Sequence, residues 1–265
     1  MSTVRPAQRG LLFLGCLLAF VRWEPAPYDL FLIIIFLLYA RGLTWKSYQL
    51  VFVVLLGPLL FTHVPALGAA LEVAPERTLY YSLVTLYLAL SSVFFMSLPE
   101  RSVPLLLLGY EVGALLSGLL GVLAFLRIPG LEDLLWGGSR AVAFFKDPNV
   151  FGAFLIPALF LALARLEQGR KFWILPALIL FLGVLVSLSR GAWANFAVAL
   201  LAWWLLRPRK RIWLPLVLLT LAGGVGISVV VMPDNPIVQR LGFMPYDKER
   251  FFTQMEALSL ALTQP

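Results

Sequence analysis

Charge is scarce in this sequence: Asp, Glu, Lys and Arg make up 13% of its 265 residues, against 61% hydrophobic residues. So little polar surface cannot coat a soluble globule of this size, which leaves an integral membrane protein. Cysteine is scarcer still. Cys16 stands alone inside an apolar run, so no intrachain disulfide can form. The sole histidine, His63 in Phe-Thr-His-Val-Pro, has no second ligand at metal spacing and reads as a helix-end residue. There is no Asp-x-Asp, so a nucleotide-sugar enzyme with a metal clamped in that way finds no support. No metal and no cofactor are expected. The alternation of apolar and polar residues that marks barrel strands is missing too, which points to helices.

What the chain has in abundance is long apolar runs. Nine can be marked: Gly10–Val21, Tyr28–Ala40, Tyr48–Thr62, Thr78–Leu98, Ser102–Leu126, Pro148–Leu166, Lys171–Leu188, Ala192–Leu206 and Ile212–Met232. The expected fold is all-α and polytopic, with about nine transmembrane helices over residues 1–232. The first two runs fall short of the ~20 residues of a perpendicular span. Arg5 and Arg9 ahead of the first run resemble a secretory signal, but Ala19-Phe20-Val21-Arg22 offers no small-x-small cleavage site, so the run reads as an uncleaved first helix. After Met232, Pro233-Asp-Asn-Pro236 breaks the last helix and residues 233–265 become polar, with a stripe Phe251, Met255, Leu258 and Leu262 at helical spacing.

Sidedness follows from the basic residues. With the N-terminus inside, the inner face takes Arg5, Arg9, Arg41, Lys46, Arg101, Arg165, Arg170, Lys171, Arg207, Arg209, Lys210 and Arg211. The outer face, up to the ninth run, takes only Arg22, Arg77, Arg127, Arg140, Lys146 and Arg190. That bias accounts for the net charge of +7, because the cations are scattered through short loops rather than gathered for nucleic acid. Trp45, Trp173, Trp203, Trp204 and Trp213 near inner ends, and Trp23 and Trp193 near outer ends, suit aromatic belts.

Two features within the runs stand out. Run five carries Gly109, Gly113, Ser117 and Gly121 at i, i+4 spacing, a stripe that lets a neighbouring helix approach closely. Glu111, about 200° around the helix from Gly109, points away from that seam. A carboxylate there either lines a polar cavity or packs as a buried, protonated group.

The stretch with the most chemistry is Gly183 to Phe196, where Ser-Arg-Gly makes a tight reversal between two apolar runs and holds Arg190 at the bilayer surface. Arg190 reads either as a snorkelling anchor or as part of an anion site. On the same face lies the loop Arg127–Asp147, with Glu132, Asp133, Trp136, Gly137-Gly138 and Arg140, leading into Lys146-Asp147-Pro148-Asn149. Asp147 and Pro148 are a helix cap and its first residue. Asn149 and the helix N-terminus could also donate hydrogen bonds to a headgroup. Arg140, Lys146, Asp147, Asn149, Arg190, Arg240 and Arg250 thus share the outer face. Cations there run against the positive-inside tendency and call for another cause. A diphosphate fits, because the planar guanidinium donates two parallel hydrogen bonds and keeps its proton.

These residues also resemble a family. Phe145-Lys-Asp-Pro-Asn-Val-Phe-Gly-Ala-Phe-Leu is similar to a helix opening of the O-antigen ligase and polymerase-like proteins, and Ser187-Leu-Ser-Arg-Gly-Ala-Trp resembles their Ser-Arg-Gly segment. Arg240-Leu and Arg250 with the following Phe251–Leu258 resemble the opening of their large periplasmic loop. The resemblance covers roughly Arg140 to Pro265 and implies a GT-C-like, metal-independent, inverting glycosyltransferase in the bacterial inner membrane, with a cytoplasmic N-terminus. Such an enzyme moves a glycan from undecaprenyl diphosphate to lipid A core or another glycan acceptor, and its other partners are membrane lipids. It implies Arg190 and Arg250 as catalytic contacts to the leaving diphosphate. The substrate-binding residues it implies are Arg140, Lys146, Asp147, Asn149, Ser189 and Arg240. The family's general base is a later histidine, which His63 does not match. On this reading residues 233–265 are the truncated start of the periplasmic loop, and this length of chain alone is expected to be inactive. A lipid-linked glycan transporter or flippase, or a non-catalytic membrane fragment, are the alternatives.

Overall fold

The computed structural model describes residues 6–39, 70–206 and the isolated positions 49, 50, 52, 54, 57, 67, 68, 252, 253, 255, 256 and 259. They are mostly helical: α1 (Pro6–Leu17), α2 (Pro27–Tyr39), α3 (Pro75–Ser97), α4 (Val103–Phe125), α5 (Pro148–Glu167), α6 (Ile174–Val186) and α7 (Arg190–Leu206). Among the described residues, three stretches are long and apolar enough to cross a membrane: Pro75–Ser97, Glu100–Phe125 and Pro148–Glu167. The ninth run, the break at 233–236 and the histidine at position 63 lie outside the described residues.

The chain divides into two compact units, Met1–Leu17 with Pro25–Gly109, and Leu18–Glu24 with Tyr110–Pro265. In the first, Leu11 and Leu14 of α1 pack with Leu32, Ile35 and Tyr39 of α2 and with Phe94 and Leu98 at the end of α3. Gly109 is needed here, because a Cβ at that position would collide with the Leu12 carbonyl. Asp29 closes the start of α2: its carboxylate accepts from the Ala26 amide at 3.0 Å and from the Tyr87 hydroxyl at 2.6 Å.

Helix α3 shows how polar residues are accommodated on an apolar helix. Thr78, Ser82, Thr85, Ser91, Ser92 and Ser97 each donate to the carbonyl four residues back, so these six hydroxyls need no partner from a nonpolar solvent. The outer surface of α3 is left to leucines, and Leu79, Leu83, Leu86, Leu88 and Leu90 are all more than half exposed. In water such a row would be costly; in lipid it is at home.

The second unit is built around α5, which packs against both α6 and α7. Phe151, Leu155, Ile156, Leu159 and Ala162 supply its buried face, against Leu180 and Val184 of α6 and Ala192, Phe196 and Leu200 of α7. Glycines set the spacing. A Cβ on Gly183 would sit 3.3 Å from the Gly118 Cα, and one on Gly152 would sit 2.6 Å from the Ser187 Oγ and 2.7 Å from the Ala192 Cβ. The expected small-residue stripe is therefore only part of the packing. Gly121 does receive a ring, with the Phe151 Cζ 2.7 Å from where a Cβ would stand, but α6 approaches at Gly118, off the stripe.

The structure refines three sequence expectations. Glu111 is buried, as one of its two expected roles requires, and it is paired: its Oε2 lies 2.6 Å from the Arg165 Nη1, and that guanidinium lies over the Trp173 ring, 4.1 Å from its centroid. The pairing arises because the last turn of α5 ends beside α4, where two charges are cheaper together than apart. The first apolar run is not one helix to Val21. It stops at Leu17, since the Val21 amide donates to the Phe144 carbonyl at 3.1 Å and Phe20 stacks on Phe144 with ring centroids 4.5 Å apart. Finally, the described residues are mostly helical, as expected, and add one small element of sheet. A two-stranded hairpin, β1 (Leu135–Trp136) with β2 (Arg140–Ala141), pairs Trp136 with Arg140 and Leu135 with Ala141.

Candidate functional site

The hairpin turns at Gly137 and Gly138, both with positive φ (55° and 68°), and the Ser139 amide donates back to the Trp136 carbonyl at 3.2 Å. A right-twisted two-stranded ribbon takes such a turn, and glycine takes it without strain. Below the turn the loop is pinned: the Val142 and Ala143 amides both donate to the Leu134 carbonyl, and Arg22 Nη1 donates to the Asp133 carbonyl at 2.8 Å. Ala141, Ala143 and Phe145 are buried, so this loop is part of the packed unit rather than a strand of chain passing through solvent.

Asp147 then caps α5 as the sequence indicates. Its Oδ1 accepts from the Asn149 amide at 2.6 Å, and Pro148 occupies the first helical position. At the other end of the site, three residues, Ser187, Leu188 and Ser189, reverse the chain between α6 and α7. Ser187 Oγ donates to the Val184 carbonyl at 2.7 Å, and Ser189 Oγ accepts from the Ala192 amide at 3.1 Å as the cap of α7. Leu188, with φ of 49° and its side chain buried, holds the left-handed position between them. Arg190 is the first residue of α7, not a residue of the turn.

Arg140 joins the pieces. Its Nε donates to the Ser187 carbonyl and its Nη2 to the Asn149 Oδ1, each at 3.2 Å, so one side chain on the hairpin ties the turn before α7 to the first turn of α5. Between these elements lies a cavity of about 620 Å³, lined by Trp136, Arg140, Asp147, Pro148, Asn149, Ala153, Leu188, Ser189, Arg190, Gly191 and Ala192.

Of the sequence-derived site residues, Arg140, Asp147, Asn149, Ser189 and Arg190 thus meet in one place. Lys146 does not: it forms an ion pair with Glu24 and is no part of the cavity lining. Arg240 and Arg250 lie outside the described residues. Trp136, Leu188 and Gly191 were not assigned a role from sequence. For Trp136 the adjacent Gly-Gly pair was a usable signal, because such a pair between short apolar stretches marks a hairpin turn.

Among the described residues the cavity lining carries two guanidinium groups and one carboxylate, and that carboxylate accepts from the Asn149 backbone amide. The N-termini of α5 and α7 open on it and add partial positive charge, and the amide of Gly191, second in α7, has no acceptor within the helix. An anion with several oxygens is what this arrangement suits.

Fold and cavity together define a helical protein with membrane-crossing segments and a cationic pocket built at two helix starts. Comparison with protein-family models, with curated proteins and with solved structures gives no match.

Proposed function

We propose that this chain belongs to a membrane glycosyltransferase of the O-antigen ligase and polymerase-like kind, which transfers a glycan from undecaprenyl diphosphate to an acceptor hydroxyl. The observation that carries the reading is the convergence of Arg140, Asn149, Ser189 and Arg190 on one cavity from three separate segments. In the transfer, the bond between the sugar C1 and the diphosphate oxygen breaks and its electron pair goes to the diphosphate. The acceptor oxygen forms the new bond to C1 and its proton passes to water. Arg140 and Arg190 stabilise the negative charge that collects on the leaving diphosphate, which is an electrostatic contribution made by groups already in place. The described residues are assigned no part in accepting the proton.

On this reading the protein has about nine spans in a GT-C-like arrangement in a bacterial inner membrane, the N-terminus is cytoplasmic and the cavity opens to the periplasm. The polyprenyl tail lies in the bilayer and the diphosphate sits at the level of Arg190. Arg240 and Arg250 join from the segment after the ninth span.

The test is equilibrium binding of undecaprenyl diphosphate to the full chain in lipid nanodiscs. Arg140→Ala and Arg190→Ala each remove a charge-assisted contact of ~1.5–3 kcal/mol, so each should weaken binding about ten- to hundredfold. Unchanged affinity in both variants sinks the assignment.

A further inference from the structure

An anion explains the arginines of the cavity but not Trp136. Its indole is 55% exposed, yet it lines the same cavity. Trp173 and Trp193, by contrast, pack partly buried against the core, and Trp193 Nε1 donates to the Val184 carbonyl at 3.2 Å. A large aromatic ring left open at the mouth of a polar pocket exposes apolar surface that nothing among the described residues covers.

Its setting argues against a general membrane anchor. Trp136 is paired across the hairpin with Arg140, and directly opposite residues place their Cβ atoms about 5 Å apart on one face of the ribbon. The same face therefore carries an indole and a guanidinium. Arg140 in turn is fixed by its bonds to Ser187 and Asn149, and the base of the hairpin by the bonds that Leu134 and Asp133 accept. A ring held on so constrained a support offers contact area at little entropic cost, which is the arrangement of a recognition surface.

Resting on the diphosphate-binding reading above, we propose that Trp136 is a specificity residue whose indole stacks on the sugar ring joined to the diphosphate. One face of a pyranose presents several C–H bonds with partial positive charge, and these match the electron-rich face of an indole. The arginines hold the charged linkage, and the tryptophan reads whether a sugar follows it. Trp136 thereby separates a loaded lipid carrier from the spent one, which shares the diphosphate and the tail but has no ring to stack.

The experiment compares two ligands on the full chain in nanodiscs: undecaprenyl diphosphate, and undecaprenyl diphosphate bearing N-acetylglucosamine. Trp136→Ala should weaken binding of the sugar-bearing lipid about tenfold (about 1.4 kcal/mol) and leave the sugarless lipid within about twofold. Trp136→Phe should keep most of the preference, and Trp136→Leu, apolar but without a π face, should lose it. Equal loss on both ligands, no loss on either, or equal behaviour of the Phe and Leu variants overturns the proposal. Failure of the unaltered protein to bind either lipid overturns instead the diphosphate reading on which it rests.

Discussion

Breaking the Glu111 and Arg165 pair should be costly, and the cost can be worked from the geometry. The charges lie 2.6 Å apart, with the Glu111 side chain 5% exposed and that of Arg165 23% exposed. A surface pair contributes ~0–1 kcal/mol, but removing one partner of a buried pair costs ~3–5 kcal/mol because it strands the other charge. Arg165→Met should sit near the upper end, since it leaves the more deeply buried carboxylate alone and also removes the cation from the Trp173 face. Glu111→Leu should cost less, because Arg165 keeps that face and is less deeply buried. The double variant Glu111→Leu/Arg165→Met should recover most of the loss. A double-mutant cycle on reversible unfolding in bicelles reads the coupling, expected to be about 3 kcal/mol. Ordinary interhelical hydrogen bonds in membrane proteins give an average of only ~0.6 kcal/mol in such cycles. A coupling at or below that value refutes the ion-pair account. Diphosphate binding should not change in any of these variants, because Arg165 lies about 24 Å along α5 from Asn149 at ~1.5 Å per residue.

Gly152→Ala should destabilise the protein by ~1–3 kcal/mol and weaken diphosphate binding too, since the new methyl would meet the Ser187 and Ala192 side chains that shape the turn before α7; thermal melting and binding on the same sample check both. Lys146→Ala should leave diphosphate affinity within about twofold, because its ammonium is paired with Glu24 away from the cavity; a tenfold loss would return Lys146 to the site. Ser139→Cys in a Cys16→Ser background should react with a membrane-impermeant maleimide added to intact spheroplasts, since the hairpin tip is exposed. Reaction only after the membrane is opened would put the cavity in the cytosol and end the glycosyltransferase reading.

Sequence and structure agree where a helix is long and locally determined. Run five, Ser102–Leu126, encloses α4 at Val103–Phe125, and run six, Pro148–Leu166, falls one residue short of α5 at Pro148–Glu167. In the latter case Asp147 and Pro148 state the start in two residues. What sequence could not supply is the choice of distant partner. The early end of α1 goes with the contacts of Phe20 and Val21 to Phe144, more than a hundred residues away, and the Glu111 pair depends on Arg165, which counted from sequence only toward the basic charge of the inner face. The same holds at the site. Arg140, Asn149 and Arg190 were picked for sharing a membrane face, but that the Arg140 guanidinium bonds to two other segments is a matter of tertiary geometry. Lys146 shared the face equally well and turned elsewhere.

Arg190 offers a direct test of the anion reading. It is the first residue of α7, and Arg140 lines the same cavity. A cation at a helix N-terminus faces the positive end of the macrodipole, a conflict of ~0.3–1 kcal/mol that an anionic oxygen beside both would offset. Arg190→Gln should then lower the stabilisation that undecaprenyl diphosphate gives. At a ligand concentration of 100 times Kd the unaltered protein should gain about 2.7 kcal/mol, and a tenfold weaker variant about 1.4 kcal/mol. A simple snorkelling anchor predicts no dependence on the lipid diphosphate. An Arg190→Gln protein that melts lower, with its response to the lipid intact, would mean that the guanidinium serves the fold and not an anion.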